Sequence, residues 1–128
     1  ARRIPDPTTA GDFCRRFTEQ DVQALMNIIN EARLRVWANQ PDEFFEEAIV
    51  DADGTIAGTT GECKEGMDIS YKGIWGYHPL LISLANTAEP LYLVNRSGNC
   101  AGSAGAAAYL HQAIALGLTG GFSPTSAV

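Results

Sequence analysis

Cysteine, lysine and histidine are scarce in this chain, and long apolar runs are absent. The cysteines, Cys14, Cys63 and Cys100, are an odd number, widely separated and without CxxC spacing. Zinc sites draw on closely paired Cys or His, and neither His78 nor His111 has a cysteine partner at such spacing. A zinc module is therefore not expected, and the thiols read as reduced ones in a cytoplasmic protein. The longest apolar stretches, such as Pro79–Leu84, are far too short to cross a bilayer. No basic segment leading into an apolar run opens the chain, so neither an export signal nor a membrane partner is expected. The only lysines are Lys64 and Lys72, and beyond Glu89 no Asp or Glu occurs.

What remains is 128 residues, 45% apolar and 19% charged, the balance of an ordinary globular domain. The formal net charge of -6 gives no support to nucleic-acid binding, which usually leaves a basic footprint.

Along the chain, Pro5 and Pro7 keep the first residues extended. Thr9 with Asp12 opens a short helix to about Phe17, and Thr18 with Asp21 repeats the capping signal. Val22, Leu25, Met26, Ile29, Ala32 and Val36 then recur at helical spacing, predicting an amphipathic helix to about Gln40, where Pro41 stops it. Ala48-Ile49-Val50 leads into Asp51-Ala52-Asp53-Gly54-Thr55 and predicts a buried strand that delivers acids at its exit. A glycine-rich loop follows from Gly58 to Gly76, with a short extended piece around Met67–Tyr71. Strands are expected at Tyr77–Ala85 and Leu91–Val94, joined by a short connection at 86–89 that makes them antiparallel. Ser103 is a candidate cap for a last helix over Ala106–Leu116, which Gly117, Gly120 and Gly121 end; the tail from Phe122 is expected to fray.

Asp51 and Asp53 carry the chemistry. At i and i+2 on a strand they project from one face, where two ionised carboxylates repel. A shared divalent cation, or a division between nucleophile and acid, would justify the arrangement; so would plain solvation at a strand end. Asp51-Ala52-Asp53-Gly54-Thr55 resembles the DxDGT signature of haloacid-dehalogenase phosphatases. That resemblance would make Asp51 the phosphoryl-accepting nucleophile and Asp53 the general acid. The later lysine and acid pair of that family have no counterpart here.

A wider resemblance covers about Pro5 to Asn99. Asp53-Gly54-Thr55, Tyr71-Lys72-Gly73, Gly76-Tyr77-His78-Pro79-Leu80-Leu81 and Asn95-Arg96-Ser97-Gly98-Asn99, in this order, resemble DDE-type transposases of bacterial insertion sequences. That family has an RNase H-like core in which three acids hold two divalent ions, roughly 4 Å apart, for DNA strand cleavage and transfer. The resemblance implies that Asp53 is the first catalytic acid and a magnesium ligand, with Asp51 as the alternative. It also implies that Lys72, Tyr77, His78 and Arg96 line a DNA groove, Arg96 as the best phosphate partner.

The expected fold is α+β: a helical lead-in over 1–43, a partial RNase H-like core of three antiparallel strands and a helix over 44–117, and an irregular tail over 118–128. The second and third acids of the family are missing from this sequence, which reads as a truncated transposase, inactive alone and nucleoid-associated. Its expected partners are transposon-end DNA, or another transposase chain joined at exposed strand edges. A non-catalytic binding remnant is the other reading.

Overall fold

The computed structural model describes residues 6–61 and 64–123. Pro5, Cys63 and the 124–128 end of the expected tail lie outside these. The described residues form an α+β fold with helices α1 (Pro7–Cys14), α2 (Glu19–Trp37) and α3 (Ala106–Gly120). Strands β1 (Val50–Gly54), β5 (Leu80–Leu84) and β6 (Glu89–Val94) make one antiparallel sheet in the order β1-β5-β6. A smaller antiparallel sheet, in the order β2-β4-β3, joins Ala57–Gly58 (β2), Trp75–Tyr77 (β4) and Asp68–Ile69 (β3). No helix among the described residues is long and apolar enough to cross a membrane.

Local chemistry starts each helix. Asp6 caps α1 by accepting from the Thr9 N–H at 3.0 Å, so the helix opens at Pro7, before the expected Thr9 cap. Thr18 and Asp21 form the expected reciprocal box: the Asp21 N–H donates to Thr18 Oγ1 and the Thr18 N–H to Asp21 Oδ2. The Thr18 backbone N–H, then its hydroxyl, hold the Asp21 carboxyl below its ordinary pKa. A depressed folded value gives stability that is complete above the unfolded pKa and is lost as pH falls through the folded one. Helical circular dichroism at fixed mild denaturant should therefore decline in acid. In Asp21→Asn that part of the acid dependence should be absent; an identical acid profile in the variant would refute the assignment.

The large sheet buries one face. Leu80, Ile82 and Leu84 alternate inward along β5, facing Val50 on one side and Val94 and Tyr92 on the other. A bulge between Ile82 and Ser83 leaves Leu91 without a direct partner, so Leu91 and Tyr92 both turn inward although they are consecutive. α2 and α3 cover this face, α2 with Met26, Leu34 and Trp37 and α3 with Tyr109, Leu110, Ala113 and Leu116. Trp37, Phe44, Phe45 and Phe122 pack as an aromatic cluster, with ring centroids between 5.0 Å (Phe44–Phe45) and 6.0 Å (Trp37–Phe44). Gly120 makes room for it, since a Cβ there would stand 2.4 Å from Trp37 Cε3.

Four expectations are corrected. β1 is not buried: its four residues from Asp51 to Gly54 are exposed, because it is an edge strand. The aspartates lie within the strand, not at its exit. Phe122 does not fray. The left-handed Gly121 ends α3, and the Phe122 N–H donates back to the Gly117 carbonyl at 3.0 Å, aiming the ring into the core. Lastly, Val22, Leu25, Ile29 and Val36 face solvent, whereas Asn30 and Trp37 are the buried residues of α2.

Candidate functional site

Asp51 pairs with Ser83 and Asp53 with Leu81, so both carboxylates stand on the sheet face that the helices leave bare. Both are exposed, and neither side chain has a hydrogen-bond partner among the described residues. Ser83, Leu81 and the exposed Leu93 share this face.

Gly54 faces the other way. A Cβ there would stand 2.9 Å from His78 Nε2 and 3.2 Å from Arg96 Nη2, which is the physical reason for glycine directly after Asp53. The chain then leaves β1 with the Thr55 N–H donating to the Pro79 carbonyl at 3.2 Å.

His78 is buried and held at both ends. Its backbone N–H donates to the Arg96 carbonyl at 2.9 Å, and its ring Nδ1 lies 3.0 Å from the Cys100 carbonyl. A carbonyl only accepts, so Nδ1 is the ring nitrogen that donates here. Arg96, expected to meet a phosphate, is instead turned into the protein. Its Nε donates to the His78 carbonyl at 2.9 Å, and its Nη1 to the carbonyls of Ala104 (2.7 Å), Gly102 (3.1 Å) and Ala101 (3.5 Å). Nη2 is buried without a hydrogen-bond partner among the described residues. Arg96 thus ties the segment before α3 to the His78 backbone.

Lys72 does reach the surface. Ser70–Ile74 closes the β3–β4 hairpin: the Ser70 N–H donates to the Ile74 carbonyl at 2.9 Å and the Gly73 N–H to the Ser70 carbonyl at 2.8 Å. Gly73 takes φ +72, a left-handed value that suits glycine. At the tip Tyr71 is 78% exposed, and Lys72 Nζ lies 5.5 Å from its ring centroid. A shallow cleft lined by Gly54, Thr55, Ile56, Tyr71, Lys72, Ile74 and His78 joins this tip to the end of β1. Tyr77 lies apart from it, its hydroxyl donating to the Glu65 carbonyl at 2.7 Å.

The structure therefore brings Lys72 and His78 to one cleft beside Asp53 and fixes Arg96 beneath it, but it turns Tyr77 away. Asp53 presents its carboxylate on the opposite side of the sheet from His78. Thr55 and Tyr71 line the cleft although neither was singled out by residue type; their places in the two quoted motifs were the only signal.

Magnesium prefers a near-octahedral set of oxygen ligands. Among the described residues no three His, Cys, Asp or Glu side chains converge on a common point. Asp53 and Asp51 offer carboxylate oxygens on one open face, a partial donor set and not a complete site. No family model, curated protein or solved structure matches this chain.

Proposed function

We propose that this chain is part of a DDE-type insertion-sequence transposase and that Asp53 is the first of the acids which that chemistry needs. The observation that carries the reading is the placement of Asp53-Gly54-Thr55: an acid in the first strand of a three-stranded antiparallel sheet, followed by a glycine against which His78 and Arg96 are packed. The motifs around His78 and Arg96 thus meet the acid-bearing motif in space, as parts of one catalytic core would. Further acids are required for catalysis, since one edge-strand carboxylate pair cannot complete the coordination of two ions. Transposon-end DNA is the substrate on this reading, and the hairpin tip of Tyr71 and Lys72 is the surface that meets it. The ring supplies a stacking face and the ammonium a phosphate partner.

The test is a titration of the chain with Mn2+ alone, followed by amide resonances. The amides of Asp53 and Gly54 should broaden first, and Asp53→Asn should remove the effect while Asp51→Asn only weakens it. Broadening that begins elsewhere, or that survives Asp53→Asn, would overturn the assignment. In the same sample a short DNA duplex should shift the amides of Tyr71 and Lys72, with shifts that shrink as salt is raised.

A further inference from the structure

The cleft between the Tyr71–Lys72 hairpin tip and the end of β1 holds about 300 Å3, at the small end for a ligand site. Of the residues that line it Lys72 is a cation and none is an acid, in a chain whose net charge is -6. Asp51 and Asp53 stand on the other face of β1.

Two more nitrogen atoms meet beside Gly54. His78 is 6% exposed, and its ring is fixed by the Nδ1 bond to the Cys100 carbonyl. Its other nitrogen, Nε2, has no hydrogen-bond partner among the described residues, and His78 and Gly54 both line the cleft. Nε2 lies 2.9 Å, and Arg96 Nη2 3.2 Å, from the point where a Gly54 Cβ would stand. Among the described residues the Arg96 guanidinium bonds carbonyls and no carboxylate, so its charge is uncompensated in a partly buried place. Such a charge favours an anion close by. Nη2 is itself covered, so Arg96 acts on the cleft by its field and not by contact.

We propose that this cleft binds a hydrogen phosphate group, free or as a monoester, with Lys72 Nζ on its charged oxygens and one proton shared between His78 Nε2 and a phosphate oxygen. The proton selects the ligand class. With Nδ1 donating to a carbonyl, Nε2 meets an oxyanion only if one of the two carries a further proton. A phosphate monoester has such a proton near neutral pH, its second pKa being about 6, whereas sulfate and a phosphodiester have none there. An imidazolium with the dianion, or a neutral ring with the monoanion, places the same proton in the same bond. The proposal does not rest on the transposase reading, since a small phosphate and the phosphorylated end of a nucleic acid present the same group.

The test is a titration with inorganic phosphate and with sulfate, at neutral pH, equal ionic strength and without divalent ions, followed by amide resonances. Phosphate should shift the amides of Gly54, Thr55 and Lys72 and bind roughly tenfold more tightly than sulfate, the order of one charge-assisted hydrogen bond. Lys72→Glu should abolish binding of both anions. Lys64→Glu, the same charge change at a lysine outside the cleft, should leave binding close to that of the parent. His78→Asn removes Nε2 but keeps an amide N–H in the place of Nδ1, so it should hold phosphate no better than sulfate. Equal affinity of the parent for the two anions, equal losses in the two lysine variants, shifts that begin outside the cleft, or a phosphate preference that survives His78→Asn would each overturn the proposal. If His78→Asn does not fold, the anion ratio of the parent and the lysine pair decide it. A 5′-phosphorylated oligonucleotide that binds more tightly than inorganic phosphate and than its unphosphorylated form identifies a nucleic-acid end as the source; one that binds no more tightly identifies a small phosphate, and both results uphold the site.

Discussion

Trp37→Ala is expected to cost about 3–5 kcal/mol, a large part of the roughly 5–15 kcal/mol that holds a domain of this kind together. Trp37 is enclosed by Phe44 and Phe122, with the Gly120 backbone close against its ring, and its indole N–H points at Glu89 Oε1 at 3.5 Å. Removing the ring leaves a cavity between α2, α3 and the segment before β1. The contrast is Val36→Ala one position earlier, which should change monomer stability by less than about 0.5 kcal/mol, because Val36 is 61% exposed. Urea unfolding measures both. Equal losses, or a larger one at Val36, would mean that α2 sits in the other rotation about its axis.

The second large effect concerns Arg96. Arg96→Ala should cost roughly 2–4 kcal/mol, because the carbonyls of His78, Gly102 and Ala104 lose a charged donor in a partly buried setting. Arg96→Lys is the sharper test. A lysine keeps the charge but has no planar fork with which to bond carbonyls on two segments at once. If Arg96 holds the fold, Arg96→Lys should lose stability nearly as far as Arg96→Ala. A phosphate-binding arginine would instead leave unfolding unchanged in Arg96→Lys and lower only affinity for DNA. Denaturation midpoints and duplex binding, measured on the same variants, separate the two roles.

How far the sequence revealed this molecule depends on the kind of signal. Helix starts are local events, and the Thr18–Asp21 pair marked α2 correctly because both partners lie within one turn. The buried side of α2 was not legible from apolarity. The residues that face the sheet include Asn30 and Arg33, whose polar groups are satisfied by Leu91, Glu89 and Pro90, 56 to 61 residues away. Hydropathy penalises such residues, so it selected the solvent-facing stripe instead. β1 shows a related failure. Ala48-Ile49-Val50 suggested burial, yet the strand begins at Val50, and Asp51 and Asp53 alternate with Ala52 and Gly54 as an edge strand's residues do. Of the small sheet, only β3 was anticipated, as the extended piece around Met67–Tyr71; β2 and β4 are two and three residues long and lie in a glycine-rich stretch.

The candidate site was legible in part. The motif series placed Asp53, Lys72, His78 and Arg96 near one another, and the fold does assemble Gly54, Lys72 and His78 around one cleft. Residue type alone could not say which cations face outward. Arg96 carries five donors and His78 two ring nitrogens, and only the positions of the carbonyls at 100–104 show that Arg96 Nη1 and His78 Nδ1 bond within the protein.

The outer strands of the main sheet have a bearing on how this protein behaves in a crowded solution. β1 lacks a neighbour on one side and β6 on the other among the described residues, so each offers unpaired backbone to any passing strand. Along β1 an approaching copy would bring aspartate against aspartate at two alternate positions. Along β6 it would meet Pro90, which has no N–H to donate. Both rims are thus guarded against runaway stacking, one by repulsion and one by a missing donor.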